Sequence, residues 1–142
     1  MNKKRKILVI GDIILDKYIK GNVERISPEA PVPVILFQNE SYLLGGASNV
    51  ARNIASFGGN VILIGRIGND QNGKIVIKKC NENKIDSSQL IKDLNLPTTT
   101  KTRYVNKGQQ LFRLDHEELL PIKQDQEAQV MEFLISSLKQ IE

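Results

Sequence analysis

The sequence predicts an α/β fold, in which a partial doubly wound sheet has additional short strands inserted after its first strand. Two continuous apolar runs, Ile7–Ile10 and Val61–Ile64, are typical of strands covered on both faces. A helical apolar pattern from Val50 to Phe57 lies between them. Shorter strand-like segments follow the first run directly. The order strand, helix, strand indicates a parallel sheet with helices packed against it.

The chain has 142 residues, which is enough for one domain with its own core. Its net charge is +4, but Lys3–Lys6 supplies four cations, and three tyrosines with four phenylalanines offer few stacking platforms. We therefore expect no nucleic-acid partner. No apolar run reaches the roughly 20 residues of a membrane span, and no cleavable signal precedes the first strand. A single cysteine excludes an internal disulfide framework and favours a cytoplasmic location.

Polar residues follow the first strand at its carboxyl end, where an open α/β sheet presents ligand-binding groups. Asp12 comes directly after the strand, and Asp16 lies four residues further on. A carboxylate can accept hydrogen bonds from two vicinal hydroxyls, which makes both residues candidate ligand-binding groups. The structural alternative for either aspartate is a turn or a helix cap.

Two strands are predicted next, at Tyr18–Val23 and Val32–Phe37, around the sequence RISPEAP. The prolines of this segment favour extended or turn backbone. Pro31 and Pro33 could also simply protect an exposed edge.

A glycine turn at Gly45 and Gly46 precedes the helix. Glycine has no Cβ, so the backbone there can take positive φ and lie against a bound molecule. Ser48 and Asn49 are suited to capping the helix, and Gly58 supplies its stop. This arrangement predicts a small polar ligand at the helix N-terminus.

The segments that follow are assigned by the same patterns. Residues 65–73 are predicted to be a loop, Ile75–Asn83 a helix with Cys80 in the core, and Leu90–Leu96 a short strand followed by a loop. The clearest helix is Asp125–Ile141, with Asp125 as its N-cap. It carries an apolar stripe that needs a sheet to cover it, formed by Met131, Leu134, Ile135, Leu138 and Ile141.

Strand-like runs at 98–105 and 110–115 are joined by an Asn-Lys-Gly turn signal and predict a hairpin. Strand periodicity places Lys101 and Arg103 on one face of the first strand. If the register sets Lys101 opposite Arg113, three cations gather on one side, which suits a dianion such as a sugar phosphate. The alternative is solvated surface charge that pairs with the neighbouring acidic residues Asp115, Glu117 and Glu118.

Several of these motifs carry a family resemblance. GGASNVA at 45–51, followed by Gly58 and Gly68, resembles the first signature of the PfkB, or ribokinase-like, sugar kinases. GDIILDKY at 11–18, RISPEAPVPV at 25–34 and QQLFRLDHEE at 109–118 narrow the resemblance to the heptose-7-phosphate kinases of that family. The likeness extends from about Lys6 to Ile122.

The resemblance implies that residues 1–142 are the N-terminal portion of a truncated ribokinase-like domain, with lid strands at about 17–38 and 98–116. It implies transfer of the ATP γ-phosphoryl group, with Mg²⁺, to the anomeric hydroxyl of D-glycero-D-manno-heptose 7-phosphate. The product, the 1,7-bisphosphate, would feed ADP-heptose and lipopolysaccharide synthesis. A homodimer through the lid is also implied. The implied substrate-binding residues are Asp12, Asp16, Gly45, Gly46 and Asn49 for the sugar, and Lys101, Arg103 and Arg113 for its 7-phosphate.

In this family the nucleotide site and catalytic base belong to a later GAGD-type motif. The sequence contains neither this motif nor a P-loop nor a dinucleotide-binding GxGxxG. We therefore expect no catalytic, nucleotide-binding or metal-binding residue here, and no kinase activity from the chain alone. The alternatives are another PfkB sugar or nucleoside kinase, a non-catalytic binding or dimerisation module, and a dinucleotide-binding half-domain.

Overall fold

A computed structural model describes residues 6–138 of the chain, which form two β-sheets and three helices. The elements in chain order are β1 Lys6–Ile10, β2 Ile13–Ile26, β3 Pro33–Gly46, α1 Ala47–Ser56, β4 Asn60–Gly68, α2 Gln71–Glu82, β5 Asp86–Asp93, β6 Thr100–Asn106, β7 Gln109–His116 and α3 Gln124–Leu138. No helix within residues 6–138 is long and apolar enough to cross a membrane.

The first sheet is parallel, with strand order β1-β4-β5, and it contains the core. Val61, Leu63 and Ile64 of β4 are almost fully buried, as expected for the central strand between helices. From α2, Val76 and Cys80 pack into this core and have no exposed surface. Burial in these apolar surroundings raises the pKa of the Cys80 thiol to about 11.

The second sheet has strand order β3-β2-β6-β7, and it is mixed because β2 pairs in parallel with β6. The two strands predicted at Tyr18–Val23 and Val32–Phe37 are present but much longer, 14 residues each. The predicted hairpin joins β6 to β7 through Lys107 and Gly108, both with positive φ, at 47° and 84°. Positive φ at both central residues is the requirement of a type I′ turn.

Three features of these elements differ from the sequence prediction. The segment 65–73 is not a loop: β4 continues to Gly68 and α2 begins at Gln71. The strand expected within Leu90–Leu96 is β5, which begins and ends earlier. Helix α1 starts directly after Gly46 and has no side-chain N-cap, so neither Ser48 nor Asn49 caps it.

Helix α3 begins at Gln124, so Asp125 lies in its first turn and is not its N-cap. The backbone amide of Lys123, just before the helix, is instead bound by the side-chain oxygen of Gln126, one half of a capping box. The predicted stripe is largely exposed: Met131 retains 50% of its accessible surface and Ile135 49%. The stripe's last residue, Ile141, lies outside the described residues.

The start of α3 is fixed to the first sheet through a buried carboxylate, that of Asp93 at the end of β5. The Gln126 amide donates to Asp93 over 2.7 Å, and the ammonium of Lys123 lies 3.2 Å away. The backbone amide of Asn95 donates to the other oxygen. These hydrogen bonds and the Lys123 charge lower the pKa of Asp93 to about 2.

Candidate functional site

The second sheet has two chemically different faces, which follow from the pairing register of its strands. One, the charged face, carries Asp16, Tyr18, Lys101, Arg103, Arg113 and Asp115. The other, the apolar face, carries Ile19, Val23, Ile35, Phe37, Tyr104, Phe112 and Leu114. Five of the eight predicted substrate-binding residues lie on the charged face or beside it: Asp16, Gly45, Lys101, Arg103 and Arg113.

Asp16 of β2 is bound to Arg103 of β6. The guanidinium Nη1 donates to the Asp16 carboxylate over 2.6 Å, and both side chains are about four-fifths buried. The ring of Tyr18 lies 5.3 Å from the Arg103 guanidinium carbon, within the range of a cation–π contact. The hydrogen bond to Asp16 raises the pKa of Arg103. Sequence reasoning missed Tyr18, although its position two residues after Asp16 on a strand predicts the same face.

The carboxylate of Asp16 lies directly against Gly45 on the neighbouring strand β3. A Cβ built on Gly45 would overlap the second Asp16 oxygen, so this position requires glycine for space. The φ of Gly45 is not positive, and the backbone freedom expected for both glycines is used only by Gly46, whose φ is 56°. The group against Gly45 is therefore a side chain of the protein itself.

The turn into α1 is held by two further hydrogen bonds. The buried hydroxyl of Ser48 donates to the Gly45 carbonyl over 2.6 Å, and the Ala47 amide donates to the Asp12 carbonyl over 2.9 Å. Asn49 faces elsewhere along the helix, because its side-chain oxygen accepts from Arg52 over 2.7 Å. In the described residues, Asn49 has no hydrogen bond to another predicted site residue.

The hairpin register differs from the expected one. Lys101 lies opposite Asp115, and Arg103 lies opposite Arg113. An irregularity between Tyr104 and Val105 shifts the pairing by one residue. The three cations do share one face, but the cross-strand cationic pair is Arg103 with Arg113, not Lys101 with Arg113.

Two of these cations, Lys101 and Arg113, already form ion pairs with Asp115. Arg113 donates from Nε and Nη2 to the two carboxylate oxygens of Asp115, over 2.7 and 2.9 Å. The Lys101 ammonium lies 3.2 Å from the same carboxylate. Lys101 also lies 3.8 Å from Glu117. The hydrogen bond from Arg113 lowers the pKa of Asp115. The alternative from the sequence, in which the hairpin cations pair with neighbouring acidic residues, therefore holds for Lys101 and Arg113 in this structure. Arg103 is bound to Asp16 instead.

A pocket of about 180 Å³ opens beside the charged face, between the two sheets. Its polar lining includes Asp12, Arg66 and Lys101, together with Glu117 and Glu118. Among the predicted site residues only Asp12 and Lys101 line it. The guanidinium of Arg66 donates to two backbone carbonyls of the segment that forms the far wall, Leu120 and Pro121, over 2.7 and 3.1 Å.

The G-x-D-x-x-G run from Gly68 to Gly73 is an architectural element. The Asp70 carboxylate accepts from the backbone amides of Gly73 and Thr98 and from the Thr98 hydroxyl, over 2.7–2.8 Å. Desolvation opposes the ionisation of Asp70, but these hydrogen bonds outweigh it and lower its pKa. The carboxylate thereby ties the start of α2 to the segment that leads into β6.

No cluster of three or more His, Cys, Asp or Glu residues able to hold a metal ion is found within residues 6–138. His116 ends β7 and is exposed.

Similarity to known proteins is extensive. The bifunctional protein HldE of Helicobacter pylori is 42% identical over 138 residues, which are 97% of this chain but 30% of that protein. HldE of a Caulobacter species is 46% identical over 112 residues, 79% of this chain and 23% of that protein. This chain thus spans less than a third of the length of these curated relatives.

Solved structures show the same fold. A putative sugar kinase from Clostridium perfringens superimposes with a TM-score of 0.71 at 17% identity, covering 93% of this chain and 41% of that one. Arabidopsis thaliana ribokinase, solved with ribose and ATP, gives 0.60 at 20% identity, covering 76% and 34%. The fold is therefore ribokinase-like. The family model of the pfkB family carbohydrate kinases matches residues 4–139, and the chain belongs to that family.

Proposed function

We propose that this chain is the sugar-binding N-terminal portion of a cytoplasmic kinase that acts on D-glycero-D-manno-heptose 7-phosphate. In the complete enzyme, the γ-phosphoryl group of ATP passes to the anomeric hydroxyl and gives the 1,7-bisphosphate for ADP-heptose and lipopolysaccharide synthesis. Membership of the pfkB family and the identity to HldE proteins support the kinase class. The motifs quoted above support the heptose.

The observation that carries the proposal is the charged face, where three cations meet the carboxylates of Asp16 and Asp115. Asp16 beside Gly45 supplies acceptors for sugar hydroxyls. Arg103 and Arg113, opposite each other, supply guanidinium groups suited to phosphate oxygens. Asp12 and Lys101 line the adjoining pocket, Gly46 directly precedes α1, and Asn49 lies in the first turn of that helix. The second sheet is then the lid over the sugar.

We assign no residue of this chain to ATP or Mg²⁺. Its sequence has no GAGD-type motif or P-loop, and residues 6–138 offer no metal-binding cluster. When bound in the complete enzyme, these cofactors supply the phosphoryl group and neutralise its charge during transfer. The residues of this chain bind and orient the sugar. We expect the purified 142-residue chain to show no turnover of heptose 7-phosphate with ATP.

The proposal is tested by titrating heptose 7-phosphate into the purified chain by calorimetry. Arg103→Ala and Arg113→Ala should each weaken binding about ten-fold or more, because each removes a charge-assisted contact to the phosphate. Arg25→Ala, an exposed arginine elsewhere in β2, is the matched control and should have no effect. Unchanged affinity in both site variants would refute the phosphate role.

A second candidate is a pfkB kinase for a sugar without a phosphate. The observation that favours it is the pairing of Lys101 and Arg113 with Asp115, which leaves these cations satisfied in the absence of a ligand. This candidate predicts binding of a neutral sugar that Asp16→Ala abolishes and Arg113→Ala does not change.

We further propose that the lid mediates a homodimer through its apolar face. Phe37, Phe112 and Leu114 there retain 50–63% of their accessible surface. Exposed apolar patches of this kind are typical of interaction surfaces. Because the apolar face repeats on every copy, a two-fold contact covers both copies at once.

Light scattering after gel filtration tests the dimer. Leu114→Glu places a charge on the apolar face and should shift the chain to a monomer. The control is Leu36→Glu, since Leu36 is similarly exposed but lies on the opposite face. A wild-type chain that is monomeric at high micromolar concentration would exclude this interface.

A further inference from the structure

Asp115 occupies the centre of the proposed phosphate site. Its two carboxylate oxygens face Nε and Nη2 of Arg113, the bidentate geometry that a phosphate would also adopt. The same carboxylate is 3.2 Å from the ammonium of Lys101. Two of the three cations proposed to bind the phosphate, Lys101 and Arg113, are thus already paired with one carboxylate of the protein.

The charge of the cluster is balanced as folded. Lys101, Arg103 and Arg113 contribute three positive charges, and each is within 4 Å of a carboxylate. Asp16, Asp115 and Glu117 contribute three negative charges. A dianion added to this arrangement would make the cluster net negative, so a phosphate gains little unless a carboxylate leaves.

We propose that Asp115 is a displaceable counterion that competes with anionic ligands at this site; the inference rests on the proposed phosphate site and adds to it a residue that sets the affinity of the site. The phosphate group replaces the Asp115 carboxylate on Arg113 and Lys101, and the freed carboxylate turns to solvent. Asp115 is able to do so because it is the second-last residue of β7, a strand in which every residue is exposed.

The effect follows from competition within one molecule. Asp115 is tethered beside the cations, so its effective concentration exceeds that of any free carboxylate. Every anion that binds Arg113 and Lys101 must first displace Asp115, which weakens the binding of all such anions by the same factor. A phosphate dianion brings twice the charge and three acceptor oxygens, so it binds the cations more strongly than a monoanion and still exchanges with Asp115.

The test uses inorganic phosphate and acetate as probes, at about pH 8, with the 142-residue chain and backbone amide shifts of β6 and β7 as the readout. Asp115→Asn removes the charge and keeps the shape. It should tighten phosphate binding about two- to five-fold, the gain expected when a partly exposed ion pair no longer competes. Acetate must displace the same carboxylate, so its binding should tighten by a similar factor.

Two variants serve as controls. Glu24→Gln makes the same change of charge on exposed β2, where Glu24 has no ion pair within the described residues, and it should leave both affinities unchanged. Asp115→Glu keeps the carboxylate and should return the phosphate affinity toward that of the wild type. A merely structural role for Asp115 would instead weaken phosphate binding in Asp115→Asn.

The inference is overturned if Asp115→Asn weakens phosphate binding, because Asp115 would then be orienting Arg113 for the ligand. It is also overturned if Arg113→Ala in the Asp115→Asn background leaves phosphate binding intact, because the anion would then bind elsewhere. A chain that exchanges inorganic phosphate as described but binds no heptose 7-phosphate supports the inference and refutes the proposed substrate.

Discussion

Arg103 of β6 donates to the carboxylate of Asp16 of β2 over 2.6 Å, so the residue proposed for the phosphate and the residue proposed for the sugar are in direct contact. The two strands run parallel, and 87 residues of sequence separate the partners. The contact fixes the distance between the two halves of the proposed ligand site. Arg103 donates to only one Asp16 oxygen, and the other oxygen lies beside Gly45.

This contact can be measured by a double-mutant cycle on Asp16→Asn and Arg103→Ala. We expect a coupling free energy of about 0.5–1 kcal/mol for stability in urea unfolding, since the pair is only partly buried. Both single variants should also weaken binding of heptose 7-phosphate. Asp86→Asn, a carboxylate on the first sheet, is the control and should change neither quantity by much. Additive stability changes would mean that the contact carries no energy of its own.

Gly45→Ala should displace the Asp16 carboxylate, because the new Cβ would overlap one of its oxygens. We expect a loss of about 1–3 kcal/mol in unfolding free energy, the usual cost of overpacking, together with weaker sugar binding. Gly58→Ala provides the comparison. Its Cβ would meet nothing within 4 Å, but its φ of 83° makes alanine strained, at a cost of about 1–3 kcal/mol. It should lower stability and leave sugar binding intact. Equal binding by both variants would contradict the assignment of Asp16.

Deletion of Leu111 should remove the irregularity in the β6–β7 pairing. Val105 pairs with Gln110, but Tyr104 pairs with Phe112, so Leu111 is the extra residue. Without it, the pairs on either side of the bulge become continuous, and Arg113 stays opposite Arg103 on the same face of the hairpin. We expect the shortened chain to retain phosphate binding, in contrast to Arg113→Ala. Leu111→Ala keeps the extra residue and should also retain binding; a loss that occurs only on deletion would show that the bulge itself positions Arg113.

Asp70→Ala should destabilise the fold by about 2–4 kcal/mol, from the lost N-cap of α2 and the unpaired Thr98 amide that it leaves. Thermal unfolding followed by circular dichroism measures the effect. Glu24→Ala, an exposed residue of β2, should remain within about 0.5 kcal/mol of the wild type. A small effect for Asp70→Ala would show that Thr98 finds another acceptor.

Acid should weaken the fold through Asp93. Its pKa is lowered from 3.8 to about 2 in the folded chain, so the unfolded chain binds the proton more tightly. The stabilisation is therefore complete above about pH 5 and is lost as the pH falls from about 4 to 2. Urea midpoints measured across this range should fall for the wild type. In Asp93→Asn the midpoint should be lower at pH 7 and should depend less on pH; an unchanged slope would assign the acid transition to other carboxylates.

The centre of the first sheet could be predicted from the sequence, because a strand that is buried on both faces is a continuous apolar run. The run at Val61–Ile64 is the buried centre of β4. In the second sheet, the turn signal before Gly108 correctly predicted the β6–β7 turn. The register of that hairpin could not be predicted. One extra residue, Leu111, shifts the pairing so that Arg113 lies opposite Arg103, and a bulge leaves no periodic pattern.

Pairing between side chains was equally invisible in the sequence. The acidic neighbours of the hairpin cations were recognised as possible partners, but their geometry depends on the register. The contact between Asp16 and Arg103 joins residues from distant segments, and only the parallel pairing of β2 with β6 brings them together. Tyr18 could have been found from its spacing to Asp16 alone.

Cys80, the single cysteine of the sequence, can report on local opening of the core around the first sheet. Its thiol is fully buried and, with a pKa of about 11, is almost wholly protonated at neutral pH, so the folded chain should resist alkylation. Modification by a thiol reagent can then occur only when α2 detaches from β4. The rate of that modification therefore measures how often α2 separates from the first sheet, and it requires no engineered probe.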